Sequence, residues 1–306
     1  MFAKTKIKLI DKILFVVLAL LFVLYILSFT KSCSSTDKRE IIKTALVNKK
    51  YGDKIDAFQL MKGNDILLLS KTDDIWYVDS DKIPGISIPA DTNRIQKLTN
   101  DLINIQEMYK LSDNLTEKNS FGLTESDAFT LRYYFSDNFN DIIFGNQDFA
   151  LSSRYMMSGK STVVYEIPNT FDKYLTTSVQ SWTEPYIISQ QVLGPIKAAD
   201  IQRTFVTFDG VTKQHDFDDK LLDLRHGGFP TASKFSSTMF ENPEMAIKLE
   251  LGNKNTIKIN IVHVEGGDEQ EYNVAVEYIN SDTGNNYQSY SKISTWTYNK
   301  IKEIML

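Results

Sequence analysis

The sequence predicts an α+β fold in which an N-terminal transmembrane helix is followed by two tandem antiparallel-sheet modules with helices packed on one face. Three observations predict it. Residues 13–29 form an uninterrupted apolar run, ILFVVLALLFVLYILSF. The rest is a succession of short alternating segments punctuated by Gly, Asn, Asp and Pro, and a few stretches carry apolar residues at spacings of three and four. Loops between neighbouring strands are too short for parallel crossovers, which makes the sheets antiparallel.

A helix of about 18 residues rises about 27 Å, close to the hydrocarbon thickness of a bilayer. Ile13, Leu14, Phe15, Val16, Val17, Leu18, Leu20, Leu21, Phe22, Val23, Leu24, Tyr25, Ile26, Leu27 and Phe29 would form such an anchor. Lys4, Lys6, Lys8 and Lys12 precede it with only Asp11 opposed, while residues 31–40 are nearly balanced. The positive-inside rule therefore expects a single-pass protein of the bacterial inner membrane, with its N-terminus cytoplasmic and its C-terminal domains outside. The run is longer than a signal-peptide core, and no small-x-small cleavage site follows it. Cys33 stands behind Lys31 and Ser32, a poor match to a lipidation box.

The net charge of -5 and pI of about 5.4 argue against a nucleic-acid partner, since no basic face with interleaved aromatics is present. Cys33 is the single cysteine, so neither an intrachain disulfide nor a cysteine-based zinc site can form.

The chain divides into residues 1–30 (cytoplasmic N-terminus and anchor), 31–50 (juxtamembrane linker), 51–190 (first module) and 191–306 (second module). In the linker, Asp37 and Glu40 have capping-box spacing, and Ile41, Ile42, Ala45 and Leu46 predict a short helix. IDAFQLMK, DILLLSK and IWYVD predict a three-strand meander. Asp91 then caps a helix running to Tyr109, with Ile95, Leu98, Leu102, Ile105 and Met108 on one face. FTLRYYF, DIIFG, SRYMMS and TVVYEIP follow as strands, and NTFDKYLTTSVQSW as a helix. The second module opens on the hairpin IQRTFVTFDG and VTKQHDFD, continues through four strands, and ends on the helix STWTYNKIKEIML. Its final section parallels residues 129–175: Gly145-Asn146 and Gly252-Asn253 both read as turns after an apolar strand, and Tyr165 and Tyr290 both lie on a last strand before an aromatic helix. A divergent tandem repeat is the expectation. Trp76 and Trp296 are expected in the core, and Trp182 between modules.

Several motif fragments carry no chemistry. Ser158-Gly159-Lys160-Ser161 ends like a phosphate loop, but Arg154 stands where its first glycine belongs, and a strand follows. His226-Gly227-Gly228 echoes an esterase oxyanion loop without any G-x-S-x-G elbow. His215, Asp216, Asp218 and Asp219 lack the glycine and distant glutamate of a calcium loop and read as a solvated turn, and His263 lies in an alternating strand. No catalytic, cofactor or metal residues are assigned, and the chain is expected not to be an enzyme.

Trp76-Tyr77-Val78, Pro89-Ala90-Asp91, Phe121-Gly122-Leu123, Phe144-Gly145, Arg154-Tyr155 and Val164-Tyr165 are ordered as in a bacterial family of membrane-anchored proteins, domain of unknown function 4340, which this chain resembles over residues 55–188. The resemblance implies a non-enzymatic extracytoplasmic accessory subunit of a gliding-motility-type ABC transporter or envelope complex, with the lipid bilayer, a permease and auxiliary subunits as partners. It supplies no catalytic residues. Trp76, Phe121, Gly122, Leu123, Gly145, Arg154, Tyr155 and Tyr165 are its landmarks and read as structural, with Gly122 free to take positive φ. Thr124 and Glu125 stand where relatives often carry proline. The alternative is an extracytoplasmic ligand-binding module whose aromatic-rich sheet edges hold a lipid, a glycan or a peptide.

Overall fold

The computed structural model describes residues 16–23, 25, 40–81, 88–114, 117–124, 126–230, 235–264, 271–284 and 286–306. Two compact units result, Met1–Glu40 and Ile41–Leu306. In the first, residues 16–23 and Tyr25 are helical and exposed. The other anchor residues, Ile13, Leu14, Phe15, Leu24, Ile26, Leu27 and Phe29, lie outside the described residues, as does Cys33.

The predicted anchor is corrected here. Among the described residues no helix is long and apolar enough to cross a membrane. The bilayer as partner and the single-pass topology with its inner-membrane location depended on that span, and the role as a transporter or envelope subunit beside a permease, which the resemblance implied, presupposed it. None of them stands without it.

The second unit is an α+β fold with two antiparallel sheets and helices packed alongside. Ten strands form the first sheet: β1 (Ile41–Ala45), β2 (Ile55–Lys62), β3 (Asp65–Thr72), β4 (Ile75–Ser80), β5 (Ile88–Pro89), β6 (Ile105–Ser112), β7 (Phe129–Phe135), β8 (Asn138–Gln147), β9 (Ser153–Ser158) and β10 (Val164–Pro168). Their spatial order is β1-β6-β10-β9-β8-β7-β2-β3-β4-β5. Alternation sets the faces: Leu67 and Leu69 on β3, Trp76 and Val78 on β4, and Leu131 and Tyr133 on β7 are buried, beneath Ile95, Leu98 and Leu102 of the helix Thr92–Ile103. Asp91 caps that helix, its carboxylate accepting the Arg94 N–H at 3.0 Å.

Two expected helices give way to strands. The capped helix stops at Ile103, and Ile105–Ser112 is β6, which leaves Ile105 74% exposed while Met108 is buried. The predicted linker helix is edge strand β1, paired from Ile41↔Tyr109 to Ala45↔Ile105. Both segments meet unpaired partners, β1 and β10 for β6, and pairing outweighs the weak local helical pattern of a β-branched stretch. Gly145-Asn146 lies within β8 and is not a turn. The predicted helix after β10 is a 3-10 turn, Asn169–Tyr174, and one α-turn, Val179–Trp182.

The second sheet comprises β11 (Ile201–Phe208), β12 (Val211–His215), β13 (Met245–Leu251), β14 (Thr256–Val264), β15 (Glu271–Ile279) and β16 (Asn286–Ser294), ordered β12-β11-β13-β14-β15-β16. The C-terminal helix Thr295–Met305 lays Tyr298, Ile301 and Met305 on one face, beside Ile187, Ile188 and Leu221. Trp182 is fully buried in the core of the first sheet rather than between modules, and Trp296 is 72% exposed.

Candidate ligand groove

Strands β3 and β4 bury Leu67, Leu69, Trp76 and Val78 on the core face, which turns Ser70, Thr72, Tyr77 and Asp79 to the opposite face. On β16 the same alternation sends Tyr287 and Ser289 one way, with buried Ile293, and Asn286 and Gln288 the other. The chain brings these two surfaces together. Ser70, Thr72, Tyr77 and Asp79 face Asn286, Tyr287, Gln288 and Ser289 across a groove of about 340 Å³. Pro89, Val192 and Tyr278 also line it. That volume falls in the lower part of the range of ligand pockets, about 300–1,000 Å³. Burial raises the Tyr77 phenol pKa, and the neighbouring Tyr287 adds to the effect.

A hydrogen-bonded turn holds the groove from behind. The Glu184 carboxylate accepts the Ser189 hydroxyl at 2.6 Å and the Gln190 N–H at 2.9 Å, and the Ser189 N–H donates to the Tyr278 hydroxyl at 2.6 Å. Burial pushes the Glu184 carboxyl above the ordinary glutamate range, against the lowering effect of those hydrogen bonds. Burial likewise raises Tyr278 strongly. The incoming strand is fixed by Glu184 N–H to Pro89 O at 3.1 Å and Asp91 N–H to Trp182 O at 2.7 Å.

His226 lies beside this turn. Its Nε2 bonds the Glu184 carbonyl at 2.8 Å, and its Nδ1 is buried with no hydrogen-bond partner among the described residues. A relay needs that imidazole on a carboxylate or a hydroxyl, and neither contact is made. The adjoining cavity of about 20 Å³ admits a single water and no substrate. Gly227 and Gly228 are spent on strand pairing, with Gly227 N–H donating to Lys292 O at 2.8 Å and Lys292 N–H to Gly228 O at 2.9 Å.

Burial lowers the His226 pKa, opposed by backbone contacts at Glu184 and Gly228. A histidine whose folded pKa lies below its unfolded value, about 6.5, binds fewer protons when folded, so stability is lost as pH falls from about 6.5 toward the folded value. Glu184, raised, has the opposite slope at lower pH. Urea unfolding from pH 7 to pH 5 should therefore show wild type losing stability relative to His226→Gln, whose amide can keep the bond to Glu184. Parallel curves would show that His226 is not the group responsible.

The other sequence-selected residues settle elsewhere. Phe121, Gly122, Leu123, Gly145, Arg154 and Tyr155 converge on one clasp. Phe121 packs edge-on against Tyr155 at 4.8 Å, its carbonyl accepts the Asn146 N–H at 2.9 Å, and Gly122 has φ +65°. Arg154 donates to Asp172 at 2.7 Å and to the Gly145 carbonyl. Leu123 is buried with Met157 and Val164. Trp76 stacks on Phe58 at 6.0 Å, and Tyr165 packs against the same core.

Gly159 donates to Asp141 O at 2.9 Å in the turn after β9. Asp218 caps a 3-10 turn through the Lys220 N–H at 3.0 Å, and His263 meets Tyr272 edge-on at 5.2 Å. Among the described residues no group of three or more His, Cys, Asp or Glu side chains is placed to hold a metal.

The sequence reading missed Tyr77, Tyr287 and Gln288 as groove residues. Alternation alone puts Tyr77 opposite core Trp76, which was the available signal; nothing local tells that β16 would face it.

No curated protein matches the chain, and no solved structure does. Residues 76–213, from β4 through Lys213 in β12, match the family described as Domain of unknown function (DUF4340). The stretch contains the six-residue clasp, Trp182, Glu184 and, of the groove lining, Tyr77, Asp79, Pro89 and Val192, and over it the chain carries a DUF4340-family domain.

Proposed function

We propose that this protein is a non-catalytic binding module that holds an extended ligand in the groove between its two sheets. One observation carries the reading: a wall of tyrosine, hydroxyl and carboxylate groups on the first sheet stands opposite the edge strand of the second across about 340 Å³ of open space. Aromatic faces with a few placed polar groups are what ligand sites use for contact area and orientation. The non-catalytic part is supported by His226, whose Nε2 is committed to a backbone carbonyl beside a water-sized cavity.

Titration of the full-length protein with two probes tests this, followed by NMR of the tyrosine side chains. The probes are the enriched peptides from a random heptapeptide phage library and chitotetraose. Saturable shifts of Tyr77 and Tyr287 are expected with one of them, weakened at least tenfold in a Tyr77→Ala/Tyr287→Ala double variant. Both side chains are only partly buried, so the variant should fold. If neither probe moves those tyrosines, the groove reading fails.

A further inference from the structure

We infer that β16 is an acceptor edge, and that the ligand is an extended peptide adding to it as a further antiparallel strand. The inference rests on the groove reading above and names the class of ligand. Lys292 exchanges both of its backbone bonds with Gly227 and Gly228, so it is turned away from β15. The β15–β16 register runs unbroken from Glu271↔Ser294 to Ile279↔Asn286. In an antiparallel pair every second residue faces the same way, so Tyr290, Gln288 and Asn286 also point their N–H and C=O groups outward.

Gly227-Gly228 occupies only the Lys292 end of that edge. Farther along, Asn286 and Gln288 line the groove, and among the described residues their outward backbone groups have no backbone partner. An intramolecular backbone bridge thus already uses one end of the edge, and Gln288 and Asn286 at the other end border the groove. Unpaired donors and acceptors at strand spacing recognise another extended backbone, whereas a sugar presents no such repeat.

The test separates backbone recognition from groove filling. Gln288→Pro deletes the outward N–H while leaving the ladder to β15 untouched, a position where an edge strand tolerates proline. Gln288→Ala keeps the N–H and removes the side chain. Thermal melting of both full-length variants should match wild type. Enriched heptapeptides should bind wild type and Gln288→Ala alike, and at least tenfold more weakly to Gln288→Pro. Methylating the peptide's alternate backbone amides should have an equal effect.

Equal binding to Gln288→Pro and wild type would overturn strand addition while leaving the groove reading intact. Chitotetraose shifting Tyr77 and Tyr287, with no peptide doing so, would have the same meaning. Should neither probe bind, both readings fall.

Discussion

Gly145→Ala is expected to destabilise the fold by about 3 kcal/mol or more, read as a lowered urea midpoint at unchanged slope. A Cβ at Gly145 would sit 2.2 Å from the Phe121 carbonyl oxygen, a backbone atom, where no side-chain rotation gives relief. The loop carrying Phe121 would have to lift off β8. That movement breaks the bond from the Asn146 N–H and separates Phe121 from Tyr155. It also draws Leu123 away from Met157 and Val164. One lost hydrogen bond at about 1 kcal/mol and exposure of the buried leucine, up to about 1.5–3 kcal/mol if complete, account for the size.

Gly122→Ala offers a contrast. Its Cβ would meet the Asn146 side chain at 2.5 Å, and that side chain can swing aside, leaving chiefly the strain of φ +65°. An unfolding free energy for Gly145→Ala within about 1 kcal/mol of wild type would mean that the clasp yields easily and does not hold the loop.

How much was legible follows from what each signal depends on. The strands from Ile55 to Ser80 and from Phe129 to Pro168 could be read because each keeps one face in a core: Phe129, Leu131 and Tyr133 alternate with Thr130 and Arg132 as period two demands. Asp91 was legible as a cap because capping is local. β1 and β6 were not, because what makes them strands is each other, across more than 60 residues, and Ile105 and Met108 happened to continue a helical spacing. Gly145-Asn146 imitated a turn for a similar reason: the glycine serves a loop that arrives from Phe121, and Arg154 reaches its carbonyl from the next strand.

The groove was illegible as a unit. Tyr77 and Gln288 are 211 positions apart, and no local pattern links them. The anchor was read from hydropathy alone, and no described helix has the length it required.

Trp182→Ala is expected to cost about 3–5 kcal/mol, the range for truncating a large buried aromatic. The indole is fully buried and stacks on Tyr174 at 6.2 Å. Arg94 lies over it at 4.7 Å, and its Nε1–H donates to the Thr176 carbonyl at 2.9 Å. Trp182→Phe keeps much of the apolar contact but leaves that carbonyl unpaired, so it should fall between, at about 1–3 kcal/mol. The consequence reaches the groove because Trp182 O accepts the Asp91 N–H, Thr183 bridges Ala90, and the Glu184 N–H holds Pro89, one of the groove walls. Loosening the indole therefore loosens both the turn around Glu184 and the wall at Pro89. In Trp182→Phe, still folded, amide exchange of Ser189 and Gln190 should accelerate together with the loss of stability. Unchanged protection at those two amides, with the stability lost all the same, would show that the core of the first sheet and the groove are mechanically independent.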